Sequence, residues 1–163
     1  MSEKRKQYPS AKSVFLDPNM LLAFGFGSGL SRIMPGTAGT LAAIPFYFLL
    51  SALPLWLYIV IVAACCVWGI YLCAYAAKKI GVHDHGGIVW DEFVGFWITM
   101  IAVPSGWQWL LAGFVLFRIF DMVKPWPISW LDRRVHGGLG IMLDDVVAGV
   151  MALVCLHGYR YFI

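Results

Sequence analysis

Long apolar stretches separated by short polar intervals follow a polar N-terminus. Residues 33–77 contain no Asp, Glu, Lys, Arg or His, and this length fits two membrane crossings of about 20 residues each, joined by a turn. The turn is predicted at residues 51–54, because Pro54 disfavours helix at the residue before it. Two helices are therefore predicted, over residues 38–52 and 55–77.

Three further apolar segments each contain a few ionisable residues. They cover residues 88–104, 107–123 and 139–157. The hairpin formed by the first two has only 25 consecutive residues free of charge, fewer than the roughly 40 that two crossings need, so it either spans the membrane or is re-entrant. The pattern predicts an all-α fold: a small polytopic integral membrane bundle of about four or five transmembrane or re-entrant helices.

The composition supports membrane insertion and limits the classes of function. Hydrophobic residues make up 61% of the 163 positions and charged residues 13%, against about 25% charged in a soluble domain. We therefore divide the chain into a polar cytoplasmic tail, residues 1–19, and a single membrane-embedded domain, residues 20–163.

A net charge of +3 is weakly basic, and without a soluble basic face it argues against nucleic-acid binding. The four cysteines lie in apolar runs without a CxxC pair, so we interpret them as packing residues rather than a disulfide framework.

Basic residues predict which loops lie in the cytoplasm. The N-terminus carries four of them, the interval 78–87 two and the interval 124–138 three, whereas the turns near 51–54 and 104–106 carry none. The positive-inside rule places the three basic regions on the cytoplasmic side. Five segments then leave the C-terminus outside. The basic N-terminus itself is compatible with contact to anionic lipid or with a solvated tail.

This orientation brings acidic residues from three segments to one membrane face. Asp91 and Glu92 begin the third segment, Asp121 ends the fourth, and Asp144 and Asp145 begin the fifth. Carboxylates in one shallow layer repel each other unless a cation lies among them, and Mg²⁺ prefers oxygen ligands. Acidic residues also complement a helix N-terminus, but that explanation fails for Asp121, which lies near a C-terminal end. Since a carboxylate at mid-membrane costs about 2.5–3.5 kcal/mol, we interpret the group as functional.

Two basic residues flank Asp121 at intervals of three positions, Arg118 before it and Lys124 after it. This spacing places neighbouring charges on nearby faces of a helix. One interpretation is a salt-bridged strip that helps the segment to insert. The other is a carboxylate that holds a metal, beside cations that neutralise a phosphate.

Two polar stretches in other parts of the chain are weaker candidates. Residues Thr37, Gly39 and Thr40 belong to a small-residue stretch before a long helix, which suits either a phosphate at the helix N-terminus or close helix packing. His83 and His85 are possible metal ligands, although loop histidines of this kind usually have other roles.

Four blocks occur in order along the chain: residues 35–40, 90–95, 117–128 and 137–149. Together they resemble the signature motifs of the bacterial phosphatidylglycerophosphatase A family, and the resemblance runs from about residue 21 to the end of the last segment. It implies a Mg²⁺-dependent phosphatase of the bacterial inner (cytoplasmic) membrane, with its active site on the cytoplasmic side. Such enzymes hydrolyse phosphatidylglycerophosphate to phosphatidylglycerol and inorganic phosphate in phospholipid biosynthesis.

The resemblance implies a role for each matching position. The catalytic candidates are Asp91, Glu92, Asp121, Lys124, Asp144 and Asp145. The candidates for binding the substrate phosphate are Thr37, Gly39, Thr40, Arg118 and Lys124. The candidate metal ligands are Glu92, Asp121, Asp144 and Asp145. Asp84 also matches the family pattern. Attack on phosphorus by water, with a carboxylate as general base, and direct attack by an aspartate both remain open.

Other functions fit the sequence less well. The expected partners are the phospholipid substrate and the membrane, and no obligate protein partner is evident. A small membrane cation transporter would use the same carboxylates, but such sites lie near the midplane, often between repeated halves, and no repeat is visible here. A phosphatidyl-transfer enzyme would need an Asp-Gly-x-x-Ala-Arg core, which this sequence lacks.

Overall fold

The computed structural model describes residues 8–82 and 85–162, and this part of the chain contains helices and no strands. Four short helical segments are α1 (Ala11–Phe15), α2 (Pro18–Ala23), a 3₁₀ helix (Gly25–Leu30) and α7 (Ile128–Asp132). The longer helices are α3 (Pro35–Ser51), α4 (Leu55–Ile80), α5 (Trp90–Thr99), α6 (Trp107–Val123) and α8 (Gly137–Phe162). The prediction of an all-α fold is confirmed.

Helix ends fall where the sequence carries helix-stopping residues. Pro35 occupies the first turn of α3, where its missing N–H costs nothing. Pro54 separates α3 from α4, as predicted. Helix α4 ends at Ile80. Gly81 follows it with a left-handed φ of 75°, a conformation typical of a glycine after a helix. The apolar pattern therefore located both helices to within a few residues.

Two helices, α4 and α8, are long and apolar enough to cross a membrane, judged by length and composition. The ten-residue α5 is about 15 Å long, half of the hydrocarbon thickness. The number of membrane crossings therefore stays a prediction. The 88–104 segment forms a short helix followed by a non-helical turn rather than one continuous span.

The short helix α5 lies at the centre of the molecule and packs against α3, α4, α6 and α8. All of its residues except Ile98 are buried. Neighbouring helices bind its C-terminal half through hydrogen bonds: the Trp97 indole N–H donates to the Ala43 carbonyl at 3.1 Å, and the Tyr58 hydroxyl donates to the Trp97 carbonyl at 2.7 Å. These contacts satisfy polar groups in an apolar interior and fix the position of α5.

Glycines allow α5 and α8 to touch backbone to backbone. A Cβ atom on Gly149 would lie 2.4 Å from the Gly95 carbonyl oxygen, and one on Gly95 would lie 2.8 Å from the Asp145 carbonyl oxygen. Gly95 is one turn beyond Asp91, and Gly149 is one turn beyond Asp145. Because residues four apart share a helix face, this contact brings the turn of α5 that carries Asp91 next to the turn of α8 that carries Asp145.

Part of the segment assigned to a polar tail is folded against the bundle. Val14 in α1 is fully buried. Asp17 caps the N-terminus of α2, accepts a hydrogen bond from the Tyr75 hydroxyl at 2.8 Å and forms a close ion pair with Lys79. The hydrogen bond from Lys79, with those from Tyr75 and the backbone, lowers the pKa of Asp17 to about 2. The basic residues at positions 4–6 lie outside the described residues.

Candidate active site

The three acidic regions meet in one cavity of about 170 Å³. The first turn of α5, the end of α6 and residues 141–145 of α8 form its walls. The lining contains all five carboxylates singled out in the sequence, together with one lysine and two isoleucines: Ile88, Asp91, Glu92, Asp121, Lys124, Ile141, Asp144 and Asp145. Residues more than 50 positions apart thus share one polar site inside an apolar bundle.

Three of the carboxylates form the tightest group. One oxygen from each of Asp91, Glu92 and Asp145 lies within 4.8 Å of the other two, and all three residues are buried. In the part of the chain that the structure describes, Glu92 Oε2 and Asp145 Oδ2 are buried without a hydrogen-bond partner. Oxygens on opposite sides of a Mg²⁺ ion lie roughly 4 Å apart. The group therefore fits a magnesium ion, which would satisfy the two buried oxygens.

Arg118 lies beside this group and is buried, with 9% of its surface exposed. Its Nη1 forms a close ion pair with Asp121 and lies 3.9 Å from Glu92 Oε1. The predicted pairing of Arg118 with Asp121 across one helical turn is therefore present. The guanidinium adds positive charge next to the carboxylates, where a phosphate can be neutralised.

Lys124 departs from the helical strip that the spacing suggests. With a left-handed φ of 46° it ends α6, so its side chain reaches α7 and α8 rather than Asp121. Its Nζ donates to Asp144 Oδ2 at 2.8 Å and to Asp132 Oδ1 at 3.0 Å. Burial opposes the charge on Lys124, but these bonds outweigh it and raise the pKa of its ammonium. The bond from Lys124 likewise holds the pKa of Asp132 below its ordinary value.

Asp132 is a site neighbour that sequence reasoning missed. It lies eight positions after Lys124, and Pro125 and Pro127 separate the two residues. Neither helix nor strand periodicity relates positions at this distance across two prolines. The only available signal was the presence of an acidic residue in a loop rich in basic residues.

The predicted phosphate-binding residues of α3 lie outside the cavity lining. The Thr40 hydroxyl donates to the Gly36 carbonyl in its own helix at 2.9 Å. The side of Gly39 on which a Cβ would lie is filled by Val89, whose Cβ is 2.6 Å from that position. Thr37 is half-buried. Roles in phosphate binding for Thr37, Gly39 and Thr40 stay predictions.

Another residue of that stretch, Gly36, contacts the site. A Cβ atom there would lie 2.4 Å from Glu92 Oε1 and 3.0 Å from both terminal nitrogens of Arg118. No side chain caps the N-terminus of α3, which begins after Met34. Its first backbone N–H groups therefore lie close to the Glu92–Arg118 pair, where the end of a helix favours an anion.

The histidine candidates do not lie in the cavity lining that the structure describes. His83 and Asp84 fall outside the described residues. His85 is buried, accepts a hydrogen bond at Nδ1 from the Gly87 N–H at 3.0 Å and meets the Tyr8 ring edge-on, with centroids 4.7 Å apart. These contacts indicate a packing role for His85.

Comparison with known proteins gives a consistent assignment. The family model for Phosphatidylglycerophosphatase A matches residues 21–160. Phosphatidylglycerophosphatase A of Escherichia coli is 56% identical over 162 residues, covering 98% of this chain and 91% of that protein. The Haemophilus influenzae protein of the same name is 47% identical over 156 residues, with 94% and 96% covered. A putative phosphatidylinositol-3-phosphatase of Bacteroides thetaiotaomicron is 42% identical over 156 residues, with 88% and 94% covered.

No solved structure matches the chain. The relatives give no support to the transporter alternative. The family model covers well over half of the chain, and the Escherichia coli relative extends over nearly all of it. The resemblance of the four sequence blocks is thereby confirmed, and the chain belongs to the phosphatidylglycerophosphatase A family.

Proposed function

We propose that this protein hydrolyses phosphatidylglycerophosphate to phosphatidylglycerol and inorganic phosphate with Mg²⁺, as a step of phospholipid biosynthesis. The observation that carries the proposal is the buried group formed by Asp91, Glu92 and Asp145, in a chain of this family. The long apolar helices α4 and α8 support a place in the membrane. The basic loops favour a site facing the cytoplasm of the bacterial cell.

The cavity suits a reaction that depends on charge neutralisation. A phosphate monoester is a dianion, and its transition state spreads negative charge over the peripheral oxygens. Asp91, Glu92 and Asp145 would hold Mg²⁺, which supplies positive charge to those oxygens when bound. Lys124 lines the cavity, and Arg118 lies beside Glu92 and Asp121 of its lining, so two cations add positive charge there.

Asp121 and Asp144 have a different setting from the other three carboxylates. Each is paired with a cation, Asp121 with Arg118 and Asp144 with Lys124. We assign them the task of orienting these cations towards the phosphate. A direct metal-binding role for Asp121 and Asp144 stays a prediction from the sequence.

In the proposed reaction, water attacks the terminal phosphorus. Its oxygen bonds to phosphorus while the bond from phosphorus to the glycerol oxygen breaks. A carboxylate of the cavity accepts a proton of the water and then donates it to the departing glycerol oxygen, which leaves as the alcohol of phosphatidylglycerol. The alternative, an aspartyl-phosphate, predicts labelled protein when ³²P-substrate is quenched in acid during turnover.

Purified protein in detergent tests the proposal. It should release phosphate from phosphatidylglycerophosphate with Mg²⁺ and lose this activity with a chelator. Glu92→Gln and Asp145→Asn should each lower kcat by about 10²–10³-fold. Asp17→Asn removes a carboxylate outside the cavity and serves as the control. Phosphatidylinositol 3-phosphate belongs in the substrate panel because a relative carries that name.

Binding of Mg²⁺ gives a readout that does not require turnover. The ion should raise the melting temperature of the wild-type protein and of Asp17→Asn, and should leave that of Asp145→Asn unchanged. Full activity in Asp145→Asn and Glu92→Gln would overturn the site assignment. Mg²⁺ flux into proteoliposomes without phosphate release would instead favour a transporter.

A further inference from the structure

The substrate proposed above carries two phosphates, and in the proposed reaction the cavity binds only the terminal one. The terminal monoester is hydrolysed, whereas the second phosphate is a diester that joins the headgroup to the lipid. In the proposed reaction both cations act on the terminal phosphate, and each is also paired with carboxylates, Arg118 with Asp121 and Lys124 with Asp132 and Asp144. A diester anion bound near the protein surface therefore requires another source of positive charge.

Such charge lies at the end of α7, next in sequence to the ion pair between Lys124 of the cavity and Asp132. Arg133 and Arg134 follow Asp132, whose carboxylate accepts the hydrogen bond from Lys124 at 3.0 Å. Both arginines are exposed. Within residues 8–82 and 85–162, neither arginine has a carboxylate oxygen within 4.0 Å. Their charges are thus available to a ligand one or two residues away from an ion pair of the site.

Contacts on α7 hold the two guanidinium groups without neutralising them. The Arg133 Nε donates to the Ser129 carbonyl at 2.8 Å, which leaves its terminal nitrogens for other acceptors. The Arg134 guanidinium lies over the Trp130 ring, 4.7 Å from the centroid, an arrangement that keeps the positive charge in place. Arginine presents its donors as a planar fork that matches phosphate oxygens.

Exposed tryptophans place this surface at the lipid headgroups. Trp126 is 77% exposed and Trp130 is 45% exposed, and tryptophan prefers the interface between membrane and water. Trp126, Trp130, Arg133 and Arg134 together form what we call the α7 rim. It combines aromatic rings for the interfacial layer with two arginines for an anionic group.

We propose that the α7 rim binds the phosphodiester of the substrate lipid while the terminal phosphate occupies the acidic cavity. This inference rests on the proposed function and deepens it. The rim and the cavity together select phospholipids whose headgroup carries a phosphomonoester beyond a phosphodiester. Arg133 and Arg134 act in binding and specificity, and the reacting phosphorus lies away from them in the cavity.

The double variant Arg133→Gln/Arg134→Gln tests the rim in the full-length protein. With phosphatidylglycerophosphate in mixed micelles, we expect KM to rise about tenfold and kcat to stay within about twofold. The inhibition constant of phosphatidylglycerol, which retains only the diester, should rise by a similar factor. The inhibition constant of inorganic phosphate, which occupies only the cavity, should not change.

A matched double variant controls for the loss of two surface charges. Lys12 and Lys78 are exposed basic residues outside the rim, so Lys12→Gln/Lys78→Gln should keep the wild-type KM. An equal rise of KM in both double variants would show a general effect of surface charge and overturn the proposal. A changed inhibition constant for inorganic phosphate would also overturn it, because the rim would then act on the reacting phosphate.

Direct lipid binding separates this inference from the proposed function. Binding of phosphatidylglycerol by the purified protein, measured by native mass spectrometry, needs no turnover, and the rim variant should bind it more weakly than the wild type. A wild-type protein that binds the lipid and releases no phosphate would contradict the proposed function alone. If the double variant does not fold, the single variants Arg133→Gln and Arg134→Gln provide the same comparison, and unchanged binding and KM in both would overturn the rim.

Discussion

A single glycine at the start of α3 sets the contact between this helix and the acidic cavity. A Cβ on Gly36 would reach the carboxylate of Glu92 and the guanidinium of Arg118. These atoms are the ends of flexible side chains, so they can move without unfolding the bundle. We therefore expect Gly36→Ala to lower kcat/KM by about 10²-fold, with a small change in melting temperature. Phosphate release and a thermal melt on the same preparation provide the measurement.

The neighbouring loop offers a control for this prediction. In the part of the chain that the structure describes, a Cβ on Gly86 would meet only Pro35 Cγ, at 3.8 Å, which is an ordinary contact. Gly86→Ala should therefore keep wild-type activity and stability. If Gly36→Ala also keeps the wild-type kcat/KM, the contact with Glu92 and Arg118 has no part in catalysis.

Asp17 links the N-terminal helices to α4 through its ion pair with Lys79. Its pKa lies at about 2 in the folded protein, below the ordinary value of 3.8. The ionised carboxylate therefore stabilises the fold fully above pH 3.8, and this stabilisation is lost as the pH falls towards 2. In Asp17→Asn the helix cap is retained, since asparagine is an equally good N-cap, but the charge is absent.

Thermal melts in detergent between pH 2 and pH 6 test the role of the Asp17 charge. The wild type should melt at a higher temperature than Asp17→Asn near pH 6, and the difference should shrink below pH 3.8 and become small near pH 2. A difference that is the same at every pH would show that Asp17 acts through its shape alone. The free energy of unfolding of Asp17→Ala should be about 1 kcal/mol lower than that of Asp17→Asn, because alanine also removes the helix cap.

At the scale of elements, the contact between α5 and α8 decides whether the acidic groups meet. A Cβ on Gly149 would lie 2.4 Å from the Gly95 carbonyl oxygen. Backbone cannot move aside as a side-chain end does, so Gly149→Ala must separate the helices. We expect a loss of about 1–3 kcal/mol in unfolding free energy, together with weaker Mg²⁺ binding, measured by denaturant titration and calorimetry.

Gly158 lies on the same helix and offers a matched comparison. Among the described residues, a Cβ there would have no neighbour within 4 Å, so Gly158→Ala should be neutral or slightly stabilising, since alanine has the higher helix propensity. Equal behaviour of Gly149→Ala and Gly158→Ala would contradict the close contact between α5 and α8.

The helices themselves were largely predictable from the sequence, and their contacts were not. Pro54 and the runs without charge located α3 and α4. The uncharged stretch before position 118 is too short for two membrane crossings, which predicted that the 88–123 hairpin could be re-entrant. Nothing in the local pattern indicated that α5 stops at Thr99, because the residues after it are equally apolar. Near this end the Trp97 carbonyl accepts a hydrogen bond from Tyr58, a residue that is distant in the sequence.

For the whole molecule, the distribution of basic loops predicted that distant carboxylates share one face, and they share one cavity. Which cation pairs with which carboxylate in the cavity was not predictable. Lys124 leaves the helical strip at a left-handed backbone position and pairs with Asp144 and Asp132. Such pairings arise from tertiary packing, which a spacing rule within one helix does not describe.

The orientation of the molecule in the membrane is open to a direct experiment. The arginines after α7 predict that this end of the bundle lies in the cytoplasm. The 17-residue α6 rises about 26 Å from Lys124 to Trp107, nearly the thickness of the hydrocarbon layer. Ser105 is exposed just before α6 and is therefore expected at the opposite membrane surface.

Single cysteines, introduced at position 105 or 134 of a variant without the four native cysteines, report on which side of the membrane each position lies. An impermeant maleimide should label Arg134→Cys only in inside-out vesicles and Ser105→Cys only in right-side-out vesicles. Labelling of both from the cytoplasmic side would mean that the hairpin of α5 and α6 is re-entrant. Labelling of Arg134→Cys from outside would contradict the cytoplasmic site, because Arg134 adjoins the loop whose Lys124–Asp132 pair lies at the cavity. The acidic cavity would then lie on the outer side of the membrane, whereas the basic loops predict that it lies on the cytoplasmic side.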